Sequence, residues 1–203
     1  MARLIGVLGG TFDPPHIGHL TLADFGRRSL DLHRVLWVVT AVPPHKLAEP
    51  ITPIEYRVAM VQAAIGDTPY FELSQADIDR PGPHFAIDTL RWLVERHQGA
   101  DFVYLMGADS LNDLSKWLDP KGFLEICTKL GVMERPGVVV DMHALEVDLP
   151  GISKKVHFFD APLVECSAQD IRGRVSKGEP FRHLIPPRVA EIIMNKGLYR
   201  SVS

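Results

Sequence analysis

His16 and His19 stand three residues apart in LGGTFDPPHIGHL, Leu8 to Leu20, just after a short apolar run and just before a segment of helical period. Gly9 and Gly10 lack a β-carbon, so they can take positive φ and let a ligand approach the main chain. Their N–H groups, with that of Thr11, can then point beyond the end of the strand. The following helix adds the unsatisfied N–H groups and positive dipole end of its N-terminus. If both are helical, His16 and His19 share one face, and Gly18 between them keeps side-chain bulk off it. Imidazoles, amides and a helix N-terminus converging on one volume describe a site for a polyphosphate. Two plainer readings stand beside it. Each histidine starts a helix, satisfied by water or a nearby carbonyl; or the H-x-x-H pair chelates a metal, although no third ligand is evident and the glycines would then be idle. The string is neither G-x-x-x-x-G-K-[ST] nor G-x-G-x-x-G.

The elements that must position these residues alternate along the chain. RLIGVL (3–8), RVLWVV (34–39), YFELS (70–74), DFVYLM (101–106), KLGVM (129–133) and KVHFF (155–159) read as strands. Helical segments are expected at 18–30, at 53–66 opened by Pro53, at 84–97 with apolar residues on one face, through most of 110–127, and at 168–177 and 186–195. Residues 134–152 carry no clear period. Strand–helix alternation of this kind predicts an α/β fold, a Rossmann-like doubly wound parallel sheet with helices on both faces. In such sheets ligands sit beyond the carboxyl ends of the strands, where the glycine–histidine stretch falls.

The whole-chain numbers narrow the function further. A chain of 203 residues, 46% hydrophobic, predicts one domain over 1–203 that buries a sizeable core, with a C-terminal helical segment at about 167–200. A formal charge of −3 gives no reason to expect a nucleic-acid partner, so any anion must be held by local positive groups. Cys127 and Cys166 have no C-x-x-C spacing and read as buried thiols rather than a disulfide or zinc site. The N-terminus lacks the pattern of a secretory leader, and no apolar run approaches the roughly 20 residues of a membrane span. A cytoplasmic protein with no membrane partner is expected; nothing in the sequence specifies an oligomeric state.

The string GGTFDPPHIGHL resembles the opening motif of the H-x-G-H nucleotidyltransferases, and in its Gly-Gly-Thr-Phe-Asp-Pro form that of the bacterial nicotinate-mononucleotide adenylyltransferases. VPPHK (42–46), GADSL (107–111) followed by Trp117, ERPG (134–137) and GLYR (197–200) extend the likeness over nearly the whole chain. The resemblance implies transfer of AMP from ATP to nicotinate mononucleotide, with release of pyrophosphate, in NAD synthesis. It implies Mg²⁺ held mainly by the triphosphate and water. Transfers of this kind rely on positioning and electrostatics rather than on a protein nucleophile.

Carried onto this chain, the resemblance assigns catalysis to His16, His19 and Arg172. It assigns ATP binding to Gly9, Gly10, Thr11, Phe12, Gly18, Gly107, Asp109, Ser167 and Ile171, and mononucleotide binding to His45, Lys46, His84, Thr89 and Trp117. Several of these have plain readings too. Ser167 with Asp170 reads as a capping box, and Arg172 as a surface residue. Asp109 or Ser110 reads as a helix cap, Trp117 as core packing, and His45 and Lys46 as a solvated loop. Two departures from the family pattern stand out: Gln169 occupies a threonine position, and His84-Phe85-Ala86 replaces Ser-Tyr-Thr ahead of an intact Thr89-Leu90. His84 is therefore expected to supply a substitute donor to the acid group of the pyridine, making acid preference pH-dependent. A paralogue using another phosphorylated acceptor, and a nucleotide-binding regulator without turnover, are the alternatives.

Overall fold

The computed structural model describes residues 3–44 and 50–200. Six strands form one all-parallel sheet: β1 (Arg3–Gly10), β2 (Arg34–Val39), β3 (Phe71–Ser74), β4 (Ala100–Gly107), β5 (Cys127–Met133) and β6 (Val156–Phe159). Their order is β3-β2-β1-β4-β5-β6. The chain winds outward from β1 in one direction through β2 and β3, then returns to β1's other side as β4. That reversal opens a crevice at the carboxyl ends of β1 and β4.

The inner strands β1, β2 and β4 carry runs that are apolar on both faces because both faces are covered. On one side Ile5, Val7, Leu36, Val38, Phe102 and Tyr104 pack beneath α3 (Ala86–Arg96), α5 (Pro120–Ile126) and α6 (Met142–Asp148). Their sequence neighbours Leu8, Val35, Trp37, Val39, Val103 and Leu105 pack beneath α1 (Ile17–Ser29) and α2 (Ile54–Ile65). A third cluster joins Met60 of α2 to Ile171 of α7 (Ala168–Lys177) and to Val189, Ala190 and Ile193 of α8 (Pro187–Lys196). The C-terminal helices therefore rest on α2, beside the loop that carries the two histidines. No helix among the described residues is long and apolar enough to cross a membrane.

Differences from the sequence reading have local causes. Pro53 is the residue before α2, not its first turn; its carbonyl accepts the N–H groups of Tyr56 and Arg57. The start of α3 is delayed to Ala86 because the His84 ring is tied to backbone on both sides. The segment read as mostly helical over 110–127 is broken into α4 (Ala108–Asn112), a single 3₁₀ turn at Leu114–Lys116 and α5. Asp119, at φ 47°, makes the break and caps α5 by accepting the Gly122 N–H at 3.1 Å. In the segment without a clear period, Asp141 accepts the Ala144 N–H at 2.9 Å and starts α6.

Candidate active site

A cavity of about 1240 Å³ lies over the crevice between β1 and β4. Its floor begins with Gly9, Gly10 and Thr11. Gly9 and Gly10 continue β1, opposite Val38 and Val39 of β2, and neither takes a positive φ. Their expected left-handed conformation is thus overturned; what the site uses is their lack of a side chain. A β-carbon on Gly9 would sit 2.6 Å from the Tyr104 hydroxyl, and one on Gly10 about 3.0 Å from the Phe12 ring. Phe12 makes the turn, at φ 49°, a conformation that costs a bulky residue about 1–2 kcal/mol. Its ring is 2% exposed and packs against Trp37 at 5.3 Å and His19 at 4.9 Å, so burial holds the turn. The Phe12 side chain is therefore a support beneath His19 and does not line the cavity.

Arg57 fixes the loop from behind. Its buried guanidinium donates to the carbonyls of Thr11, Thr40, Ala41 and Thr52 at 2.8–2.9 Å. Asp13 is also buried; its carboxylate accepts the Thr52 N–H at 3.1 Å and the Tyr199 hydroxyl at 2.6 Å.

His16 is the residue before α1 and His19 lies in its first turn. Their rings stack, with centroids 3.7 Å apart and planes 28° from parallel, and both line the cavity. The His16 N–H donates to His19 Nδ1 at 3.1 Å, which satisfies one of the orphan donors of the helix start. The His19 proton is then on Nε2, the nitrogen left for a ligand. Burial, and then the Arg135 charge, pushes His16 down to about 4. His19, packed between Phe12 and His16, is lowered well below the ordinary histidine value by desolvation, then by His16 and Arg135. Both rings are neutral at pH 7, each a single N–H donor. The helix-start reading and the ligand reading are compatible, because they use different nitrogens of His19.

The helix N-termini of α1, α3 and α7 border the same cavity, through His16, Ala86 and Ser167 respectively. Ser167 precedes α7 and its hydroxyl accepts the Asp170 N–H at 3.0 Å. The other half of the expected capping box is diverted, since the Asp170 carboxylate accepts from Arg174 at 2.9 Å. Gly107 ends β4, and a β-carbon there would meet no protein atom within 4 Å. The space beside it belongs to the cavity. Asp109 and Arg135 face each other across the rim, 2.8 Å apart.

A family model described as cytidylyltransferase-like matches residues 7–174. A protein of Thermomicrobium roseum named probable nicotinate-nucleotide adenylyltransferase is 43% identical over 202 residues, covering 100% of this chain and 94% of its own length. The chain belongs to the nicotinate-nucleotide adenylyltransferase family. Another member, from Roseiflexus, is 40% identical over 97% of this chain and 98% of its own. The fold matches that of the Plasmodium falciparum nicotinic acid mononucleotide adenylyltransferase complexed with NaAD. The TM-score is 0.79 at 19% identity, with 97% of each chain covered.

Within this adenylyltransferase fold, the cavity gathers Gly9, Gly10, Thr11, His16, Gly18, His19, His84, Thr89, Gly107, Asp109, Trp117 and Ser167. It does not gather the rest of the residues singled out in the sequence. Arg172 is turned behind the loop, donating to the Asp13 carbonyl at 2.8 Å. Ile171 is fully buried against α2 and α8. Gln169 is exposed and outside the cavity lining. His45 and Lys46 lie outside the described residues.

The expectation for His84 is overturned. Its Nδ1 accepts the Val42 N–H at 3.1 Å, and its Nε2 is 3.0 Å from the Arg80 carbonyl, an acceptor only. Nε2 must therefore carry the proton and donate it there, so no donor remains for a ligand. Thr89 is likewise engaged, donating to Asp77 at 2.6 Å beside the Arg80–Asp77 ion pair at 2.7 Å. Trp117 stands edge-to-face with Tyr104 at 6.0 Å and Phe123 at 5.3 Å, giving the cavity an aromatic end.

Three residues without an assigned role bear on the site. Arg135 lies in the quoted ERPG and Tyr199 in GLYR, so both were marked by the motif likeness. Arg57 was signalled only as a lone cation in the apolar stretch PIEYRVAMVQAAI.

Proposed function

We propose that the chain transfers the adenylyl group of ATP to nicotinate mononucleotide, giving nicotinate adenine dinucleotide and pyrophosphate. A phosphate oxygen of the mononucleotide attacks the α-phosphorus of ATP. The new P–O bond forms as the bond to the β-phosphate bridging oxygen breaks, and that oxygen leaves on pyrophosphate. Negative charge grows on the bridging and non-bridging oxygens, so donors already aimed at them lower the barrier. His16 and His19 supply such donors in neutral form. The N-termini of α1 and α7 add amide dipoles, and Arg135 adds a permanent charge. The pyridine ring is assigned to the aromatic end beside Trp117, with the amides at the start of α3 toward its carboxylate.

The observation that carries this reading is the pair of stacked neutral imidazoles at the N-terminus of α1, opening on the β1/β4 crevice. The acceptor is chosen by the names of the relatives that align over the whole chain. Mg²⁺ enters with the substrate as MgATP. The described residues hold no group of three His, Cys, Asp or Glu suited to a metal, and the ion's preference for phosphate oxygens and water accords with that route. A reaction fed by ATP argues for the cytoplasm as its compartment.

Purified protein with MgATP and either nicotinate mononucleotide or its amide counterpart, followed by pyrophosphate release, tests the reading. Turnover with nicotinate mononucleotide is expected. Turnover confined to a different phosphorylated acceptor would move the chain to a paralogous activity. Nucleotide binding without turnover on any acceptor would make it a regulator.

A further inference from the structure

We propose that the Cys166 thiol is a positioning residue that fixes the tautomer of His16, and so decides which of its nitrogens is presented to the nucleotide phosphates. The role of that nitrogen rests on the adenylyl-transfer reading; the tautomer does not.

Cys166 directly precedes the Ser167 cap of α7 and is 150 residues from His16 in sequence, yet its Sγ lies 3.2 Å from His16 Nδ1. Both groups are almost fully enclosed, at 7% and 8% exposure, on the wall of the cavity. Gly18 closes the arrangement. Its N–H donates to Sγ, and a β-carbon there would sit 3.1 Å from His16 Nδ1 and 3.3 Å from Sγ. A side chain at 18 would pry ring and thiol apart.

The direction of the thiol–imidazole bond follows from donors and acceptors. The neutral imidazole has one N–H and one lone-pair nitrogen. The sulfur already accepts the Gly18 amide, and sulfur is a much weaker acceptor than an imidazole nitrogen. Burial raises the thiol, which therefore keeps its hydrogen, and lowers His16, which therefore has only one. The favoured pattern is Gly18 N–H to Sγ, then S–H to Nδ1. The His16 proton is left on Nε2. The reverse pattern would spend the ring's only N–H on sulfur and show the phosphates a lone pair. Other charges near the thiol are Arg135 and Asp170.

His19 reaches the same state by a different device, the His16 main-chain N–H on its Nδ1. The two stacked rings thus offer like tautomers, that of His19 set by backbone and that of His16 by the thiol beside the His19 main-chain N–H that closes the capping box onto its ring.

The test is a long-range ¹H–¹⁵N correlation spectrum of ¹⁵N-histidine-labelled full-length protein, without nucleotide, at pH 7.5. His16 is expected as the Nε2–H form in the wild type. Cys166→Ala should give a mixture of tautomers, and Cys166→Ser, which keeps an O–H donor, should restore the Nε2–H form. With MgATP and nicotinate mononucleotide, the Ala variant should lose roughly fivefold in kcat, with KM for MgATP little changed, and the Ser variant should recover. An Nδ1–H tautomer in the wild type overturns the proposal whether or not any variant folds. So does an unchanged His16 spectrum in Cys166→Ala, or a changed tautomer with unchanged kcat. Failure of the wild type to release pyrophosphate with any acceptor would sink the adenylyl-transfer reading instead, leaving the spectrum to stand by itself.

Discussion

Replacing His16 by Gln should flatten the acid side of the stability curve. In the native protein burial, then the Arg135 charge, hold this imidazole at about 4, against an ordinary 6.5. Between those values the unfolded chain binds a proton that the native state refuses, so stability rises with pH there. The contribution is intact above pH 6.5 and is lost as pH falls towards 4. Between pH 7.5 and pH 5.0, His16 alone should cost the native state about 2 kcal/mol. Gln keeps much of the size and polarity but cannot titrate. Urea unfolding of both proteins at the two pH values should therefore show the wild type losing about 2 kcal/mol more than His16→Gln. His19 remains in both, and losing the His16 charge that helps hold it down flattens the variant's curve further in the same direction. Parallel losses, or an NMR titration of His16 near 6.5, would refute the neutral-imidazole account of the site.

His19→Ala should lower kcat by roughly 10²-fold, the cost of deleting one preorganised donor, in a pyrophosphate-release assay. Arg135→Ala should move the NMR titration midpoints of both histidines upward, because its charge lowers them. By calorimetry the same variant should bind MgATP roughly tenfold more weakly. His84→Ala should leave the acid-to-amide selectivity flat from pH 6 to 8. It should cost about 2 kcal/mol in urea unfolding, since the Val42 N–H and the Arg80 carbonyl lose their partner. Arg57→Met strands four carbonyls and should destabilise by about 3 kcal/mol or more in the same assay; wild-type stability would show that the loop holds itself.

The β1-to-α1 passage was legible in the sequence because its signals are local. A buried strand, two residues without side chains and a helix start follow one another within a dozen positions. The parallel sheet with helices on both faces was legible for a related reason: runs such as VLWVV, apolar at every position, suit a sheet covered on both faces. Partners brought from distant loops were harder to read. Nothing near His84 reveals that Val42 and Arg80 occupy both its nitrogens. Nothing near Arg172 shows that α7 turns it towards the Asp13 carbonyl rather than the cavity. The positive-φ expectation for Gly9 and Gly10 was wrong because a glycine can be required for its missing volume alone. Here the Tyr104 hydroxyl and the Phe12 ring take up that volume.

The hydrogen bonds from Arg172 and Tyr199 to Asp13, and from Cys166 to His16, join the first tenth of the chain to its last fifth. On a ribosome the histidine-bearing loop emerges before all three latches, and 186 residues separate Asp13 from Tyr199. A nascent or truncated chain can pair its first strands, yet it lacks the clamps that hold the loop in register. Competence to handle a nucleotide thus waits on Tyr199 being made, and a chain cut short before it is left without one of the loop's fastenings.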